Sequence, residues 1–450
     1  MSAGEPGPKA GESYFWHPML HPGEMRRRKP IRIVRGDGCH VIDEEGRRLV
    51  DGVAGLWNVN VGHNRREVKE AIVAQLDELE YFQLFDGISH PRAEELSRVL
   101  HEMMAPEGMV RFVYSSGGSD AVETALKLAR QYWKLSGQAD RVKFISLRQG
   151  YHGTHFGGAS VNGNPVFRRN YEPLLAGCVH VDTPWLYRNP FTDDAEKLGR
   201  ICAELLEREI VFQGPDTVAA FIAEPIQGAG GVIVPPANYW PLVREICDRH
   251  GVLLIADEVV TGFGRSGSMF GCRGWGVKPD IACLAKGISS GYIPLGATAL
   301  NARIADAFYG NQTFAGAMMH GYTYAGHPVA CAAALASLKI VRDEDLPGNA
   351  ARQGAYLLDR VKPLERFAAV GEVRGKGLMI ALDLVKDKAT REPIDPTAGY
   401  ADRVAAAARA AGALVRPVGT KIILSPPLVI QRAEVDALAD ALRIAFERTT

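Results

Sequence analysis

The middle of the chain alternates between two hydrophobic periods. VRFVYSS from Val110, RVKFISL from Arg141, CVHVD from Cys178, TVAAFIAEP from Thr217, VLLIAD from Val252, DIACLAK from Asp280 and LGATAL from Leu295 are short, β-branched and apolar, and read as strands. Most of the gaps between them carry apolar residues at helical spacing, as in Ser119 to Leu135, Glu196 to Val211 and Tyr239 to Arg249. Strands that are apolar on both faces and alternate with helices from about Arg65 onward predict an α/β fold, with a mostly parallel central sheet covered by helices on both faces.

The two ends follow different patterns. IRIVRGDG and CHVIDEEGRRLVDG read as two short strands joined by a Gly-Asp-Gly turn. After Pro328 an Ala-rich helix, VACAAALASLKIV, leads into GEVRGKGLMIALDL, ADRVAAAARAAGA, KIILSPPLVI and a closing helix, the order expected of a smaller α+β domain. The expected division is residues 1–60 as an N-terminal segment contributing to the small domain, 61–325 as the large domain and 326–450 as the C-terminal small domain. The first dozen residues, rich in Gly, Pro and Glu, are expected to be loose, and Arg26, Arg27, Arg28 and Lys29 to be a solvated lead-in to a strand.

Composition narrows the partners. Lys+Arg and Asp+Glu are equal at 52 each, so the overall field attracts neither nucleic acid nor an anionic membrane, and small molecules are the expected partners. The seven cysteines are scattered and odd in number, which gives no disulfide framework and no metal-ligand pair. No apolar run reaches the ~18 residues of a membrane span, and the start lacks the basic and apolar regions of a signal peptide. A cytoplasmic location is expected.

Three places carry chemistry. VLLIADEVVTGFGRSG ends a buried strand in two adjacent carboxylates, Asp257 and Glu258, of which only one can share the strand's inward direction. Carboxyl ends of parallel strands are where open α/β sheets bind ligands, although an acid there also serves as an ordinary turn residue. In DIACLAKGISSGYIPLG, Lys286 follows another apolar strand and precedes a Gly/Ser-rich loop. Desolvation there favours the free amine that imine chemistry needs, while a lysine snorkelling at a sheet rim is the plainer alternative. In YSSGGSDAVETALKLARQYW a strand passes through Gly117 and Gly118 into a helix beginning near Ser119, an anion cradle that tight-turn glycines also mimic. An acid, an amine and a phosphate cradle together are what pyridoxal 5′-phosphate (PLP) requires.

The motifs GLWNVNVGH, SGGSDA, YHG, AEPIQGAGGV, DEVVTGFGRSG, AKGIS, HGYTYAGHP and LVRPVG, in this order, resemble the class III, fold-type I PLP-dependent aminotransferases over nearly the whole chain. The nearest likeness is to the ω-amino acid and amine:pyruvate branch. That resemblance implies a Schiff base between Lys286 and PLP, Asp257 on the pyridinium nitrogen, Val259 and Tyr151 on the two faces of the ring, and Gly118 and Ser119 on the phosphate. It also implies that Thr323 reaches the phosphate in a neighbouring subunit, which makes the active protein a homodimer, alone or paired into a tetramer. Glu224 would orient the cofactor or a substrate group.

Departures from the wider class bear on the substrate. Ornithine-type relatives carry Gln where this chain has Val260 and an α-carboxylate arginine where it has Ile423; Arg416 instead matches the mobile arginine of the ω branch. With Leu56, Trp57, Phe85 and Tyr151 as apolar walls, the resemblance implies a pocket that takes a keto acid by charge and an amine by burial. The expected reaction is ping-pong transamination from an amine or ω-amino acid donor to a keto acid, with pyruvate as the expected acceptor. A PLP-dependent mutase or decarboxylase is the alternative on the same fold.

Overall fold

The computed structural model describes residues 14–25 and 29–449. The loose start and Arg26, Arg27 and Arg28 of the basic run therefore lie outside the described residues, whereas Lys29 is exposed and pairs with Glu44 at 3.0 Å.

The seven expected strands form one sheet, in the order Met109–Ser115, Gly296–Asn301, Ile281–Leu284, Leu253–Asp257, Val218–Ala223, Lys143–Leu147 and Cys178–Val181. Alternate residues of a strand face opposite layers, and the core divides accordingly. Leu253 and Ile255 pack with Ala121, Ala125 and Leu128 of the Gly118–Leu135 helix, while Leu254 packs with Leu198, Leu206, Trp240 and Val243 of the Ala195–Gln213 and Tyr239–His250 helices. Burying a side chain of this size stabilises the fold by roughly 1.5–3 kcal/mol.

Gly296–Asn301 runs antiparallel to both neighbours, whereas the five strands from Ile281–Leu284 to Cys178–Val181 are mutually parallel. The reason is the connection before it, which holds only the one-turn Lys286–Ile288 3-10 helix and no crossover helix to carry the chain back.

The N-terminal segment differs from its expectation. Three strands form there, Ile33–Asp37, His40–Asp43 and Arg48–Asp51, because CHVIDEEGRRLVDG folds back on itself. Asp43 accepts hydrogen bonds from the backbone N–H of Glu45 and of Arg47, both at 3.0 Å, and from Arg47 Nε at 2.7 Å, while Gly46 adopts φ +79°. The third strand pairs in parallel with Ala413–Leu414, so both chain ends share a sheet. A further antiparallel sheet contains Val370–Gly375, Ile380–Asp387, Lys421–Leu424 and Arg416–Val418, in that order. Cys39 and Val50 lie in the same apolar cluster as Leu382, Leu442 and Phe446. All seven cysteines are free thiols, and among the described residues no helix is long and apolar enough to cross a membrane.

Candidate active site

Strand alternation separates the adjacent acids. Asp257 is 3% exposed, with Oδ2 2.7 Å from His152 Nδ1 and Oδ1 accepting from the N–H of Val259 at 3.1 Å. Glu258 points the other way and is a structural acid: it accepts from the N–H groups of Gly271 at 2.8 Å and Cys272 at 2.7 Å and from the Thr261 hydroxyl at 2.5 Å. Burial pushes the Glu258 carboxyl above its ordinary range, and these three donors oppose that shift.

The neighbouring strand delivers Lys286 to the same edge. Its backbone sits at φ +48°, a left-handed conformation costing on the order of 1–2 kcal/mol in a residue with a Cβ. Burial lowers the affinity of its amine for a proton, while Asp257 and Glu224 pull the other way. The balance lies below the ordinary lysine value, which favours a neutral, nucleophilic nitrogen.

The helix from Gly118 starts with no side-chain cap, and its first intrahelical bond runs from Ala121 N–H to Gly117 O at 3.0 Å. The N–H groups of Gly118, Ser119 and Asp120 thus have no acceptor one turn back. The Asp120 carboxylate is drawn aside by Ser116 N–H at 2.9 Å and His155 Nε2 at 2.6 Å, which leaves the bare donors and the helix dipole to an anion. A Cβ on Gly118 would stand 2.8 Å from Val259 Cγ1, closer than carbon atoms approach.

Ser119, Tyr151, Glu224, Asp257, Val259 and Lys286 all line one cavity of about 350 Å³, which Gly118 and Leu56 also border. Glu224 follows the Val218–Ala223 strand and accepts from the N–H of Tyr151 at 3.0 Å and of Gly228 at 2.8 Å. Arg416 is half-buried beside Tyr151, has no carboxylate within ion-pair distance among the described residues, and is the direct cross-strand partner of Ile423. Burial pushes its guanidinium below the ordinary value.

Four expected residues are not part of the cavity wall: Arg416, which stands beside Tyr151, and Trp57, Phe85 and Thr323. Trp57 is buried among Ile226, Val232, Met379, Ala381 and Ile423 rather than lining the pocket. Phe85 is exposed and covers Gly321, where a Cβ would meet its Cε1 at 2.6 Å. Thr323 is exposed on the same surface, its carbonyl accepting from the Tyr81 hydroxyl at 2.8 Å.

Two further residues emerge only in three dimensions. His152 is 1% exposed and holds Asp257; its sole sequence signal was its place in YHG. Arg265, in GFGRSG, is fully buried without a carboxylate partner among the described residues. It donates to Leu378 O at 3.2 Å, Pro426 O at 2.9 Å and Asn60 Oδ1 at 2.9 Å, joining three distant stretches of chain beneath the site.

A buried amine, a buried carboxylate and a bare helix N-terminus lining one cavity fit the aldehyde, ring nitrogen and phosphate of PLP, and this fold with this site defines a PLP-dependent transferase of fold type I. Residues 24–446 match the family model for aminotransferase class III. The adenosylmethionine-8-amino-7-oxononanoate aminotransferase of Geobacter sulfurreducens is 41% identical over 97% of this chain and 96% of its own. The putrescine–pyruvate aminotransferase of Pseudomonas aeruginosa is 40% identical over 93% and 90%. Among solved structures, a PLP-bound amine transaminase from an uncultivated Pseudomonas species superposes with TM-score 0.97 at 62% identity, covering 98% of this chain and 100% of that one. An (S)-enantioselective ω-transaminase from Thermomicrobium roseum superposes at 0.93 with 44% identity, over 96% of each chain. The chain belongs to the class III aminotransferases, and its cofactor is PLP.

The close packing at Gly118 yields a prediction. Gly118→Val should weaken cofactor binding by about 10- to 100-fold, since the added carbons must displace Val259 or the ligand's phosphate. Equilibrium dialysis against PLP measures this, and unchanged affinity would exclude the cradle.

Proposed function

We propose that this aminotransferase is an ω-transaminase that moves the amino group of an amine or ω-amino acid to a keto acid, pyruvate, in two half-reactions of a ping-pong cycle. The observation that carries the reading is the pairing of Arg416 with Ile423 on one hairpin, with Arg416 beside the cavity-lining Tyr151. The first supplies a cation with no internal carboxylate to hold it; the second presents an apolar side chain where an α-amino acid enzyme of the ornithine type carries its arginine. The amine transaminase neighbours and the putrescine–pyruvate relative support it.

In this reading Gly118 and Ser119 hold the phosphate by backbone N–H, Val259 and Tyr151 enclose the ring, and Asp257, steadied by His152, keeps the ring nitrogen protonated. Bound there, PLP supplies the electron sink that stabilises negative charge at the substrate carbon when its proton leaves. Lys286 Nζ, whose affinity for a proton burial lowers, would be the base that takes that proton and the acid that gives it back. Leu56 walls the donor's apolar tail, and Arg416, which stands beside the cavity-lining Tyr151 rather than in the wall itself, pairs with the acceptor's carboxylate. In the same reading 61–325 is the large PLP-binding domain and 326–450 the C-terminal small domain, to which the N-terminal segment contributes. The exposed Thr323 and Phe85, with Phe82, Met319 and Tyr324 also exposed, support a homodimer in which Thr323 reaches the partner's site.

A panel of amines, diamines and ω-amino acids with pyruvate, scored by alanine formation, tests the reading; no alanine from any donor would refute it, and carbon dioxide release or single-substrate isomerisation would favour the decarboxylase or mutase alternative. Arg416→Ala should raise KM for pyruvate by about 10- to 100-fold, the worth of a charge-assisted pair, with KM for an uncharged aldehyde little changed. Equal losses for both acceptors would refute the role of Arg416.

A further inference from the structure

Glu224 is an acid that the fold leaves uncompensated. Its carboxyl borders the cavity, is 5% exposed, and receives only two neutral backbone N–H donors, from Tyr151 and Gly228. No cation lies within ion-pair distance of it among the described residues. The groups facing it are Tyr151 and His152 from the segment after the Lys143–Leu147 strand, Asp257 from the adjacent strand, and Lys286; Arg416 stands beyond Tyr151. His152 hydrogen-bonds Asp257 at 2.7 Å and gives Glu224 no hydrogen bond, acting on it only through space. The aliphatic side chain of Val260 and the Glu224 carboxyl both stand close to Gly228, so the neighbour on that side offers no hydrogen bond.

We propose that Glu224 is a specificity-determining residue that admits a carboxylate-bearing substrate only when it carries a proton, so that carboxylate binding is coupled to proton uptake. The inference rests on the reading that a keto acid enters this cavity. A substrate carboxylate drawn in by Arg416, which stands beside Tyr151, enters the cavity that the Glu224 carboxyl borders. Two ionised carboxylates there repel strongly, and one of the pair retains a proton instead. An uncharged aldehyde or the apolar tail of an amine meets no such repulsion. Burial, reinforced by Asp257 and opposed by His152, pushes Glu224 up to about 7, so the change falls in the neutral range. The sign follows. Below that value the group is neutral and a carboxylate binds freely; above it, binding must draw a proton from solvent and weakens as pH rises.

The test uses the holoenzyme and propionate, an inert carboxylate, titrated calorimetrically from about pH 6 to about pH 9 in buffers of different ionisation enthalpy. The expected result is uptake approaching one proton per propionate on the alkaline side and an affinity falling by up to about tenfold per pH unit. KM for pyruvate should rise in parallel, while KM for an uncharged aldehyde stays flat. Glu224→Gln should bind propionate without proton uptake and with a flat pH profile, a signature that a merely structural role would not produce. Wild-type binding without proton uptake overturns the proposal, and so does unchanged uptake in Glu224→Gln, which would assign the proton to Lys286 or His152. The wild-type titration decides even where the variant fails to fold. A wild-type enzyme that forms no alanine from pyruvate overturns the transaminase reading and this proposal together, whereas alanine formation without proton-linked binding overturns this proposal alone.

Discussion

Lys286→Ala is expected to lower transamination by more than about 10⁴-fold, because in the proposed mechanism one side chain both anchors the aldehyde and shuttles the proton. Among the described residues no other amine borders the cavity. Arg416 remains a cation and cannot substitute as a base, and His152 Nδ1 is engaged with Asp257. The fold itself should survive: alanine occupies the same backbone conformation, and the Ser289 N–H to residue 286 carbonyl bond at 3.3 Å needs no side chain. The measurement is alanine formation from pyruvate, together with the visible absorbance that a lysine-held pyridoxal group gives. A variant retaining activity within about tenfold of wild type would remove Lys286 from its proposed role.

Asp257→Ala should cost about 10³-fold in kcat, the scale found when one preorganised electrostatic partner is removed from a water-poor site. Two effects combine. The ring nitrogen loses the anion that keeps it protonated, and His152 Nδ1 is left buried without its acceptor, which destabilises the fold by about 1–3 kcal/mol. Asp257→Asn separates them, since the amide oxygen still receives the His152 N–H but carries no charge. It should recover most of the lost melting temperature and little of the lost kcat. Recovery of both would mean that Asp257 acts only as a brace for His152.

The legible parts of this protein were those in which one local period dominates. VLLIAD and DIACLAK are apolar on both faces, so their burial in the middle of a sheet, and with it the delivery of Asp257 and Lys286 to one edge, follows from the residues themselves. The choice between Asp257 and Glu258 was not local; it depended on Gly271 and Cys272, whose N–H groups arrive to meet Glu258 from a later turn. The antiparallel direction of Gly296–Asn301 was hidden because a strand's pattern carries no sign, and the third N-terminal strand because DEEG turns through an aspartate side chain rather than a Gly/Pro pair. Trp57 reads as a pocket wall from its motif, yet its indole is sequestered by Met379, Ala381 and Ile423, three residues more than 300 positions away. Arg265 was unreadable for the opposite reason. Arginines are mostly exposed, and only three converging oxygen acceptors make its burial tolerable.

The hairpin carrying Arg416 and Ile423 belongs to a sheet separate from the one that presents Asp257 and Lys286. Inheritance can therefore act on the two independently. In the proposed reading, exchanges along Arg416–Leu424 would alter what is admitted while leaving Asp257 and Lys286 in place. Such a division suits a family whose relatives bear names as different as putrescine–pyruvate aminotransferase and adenosylmethionine-8-amino-7-oxononanoate aminotransferase.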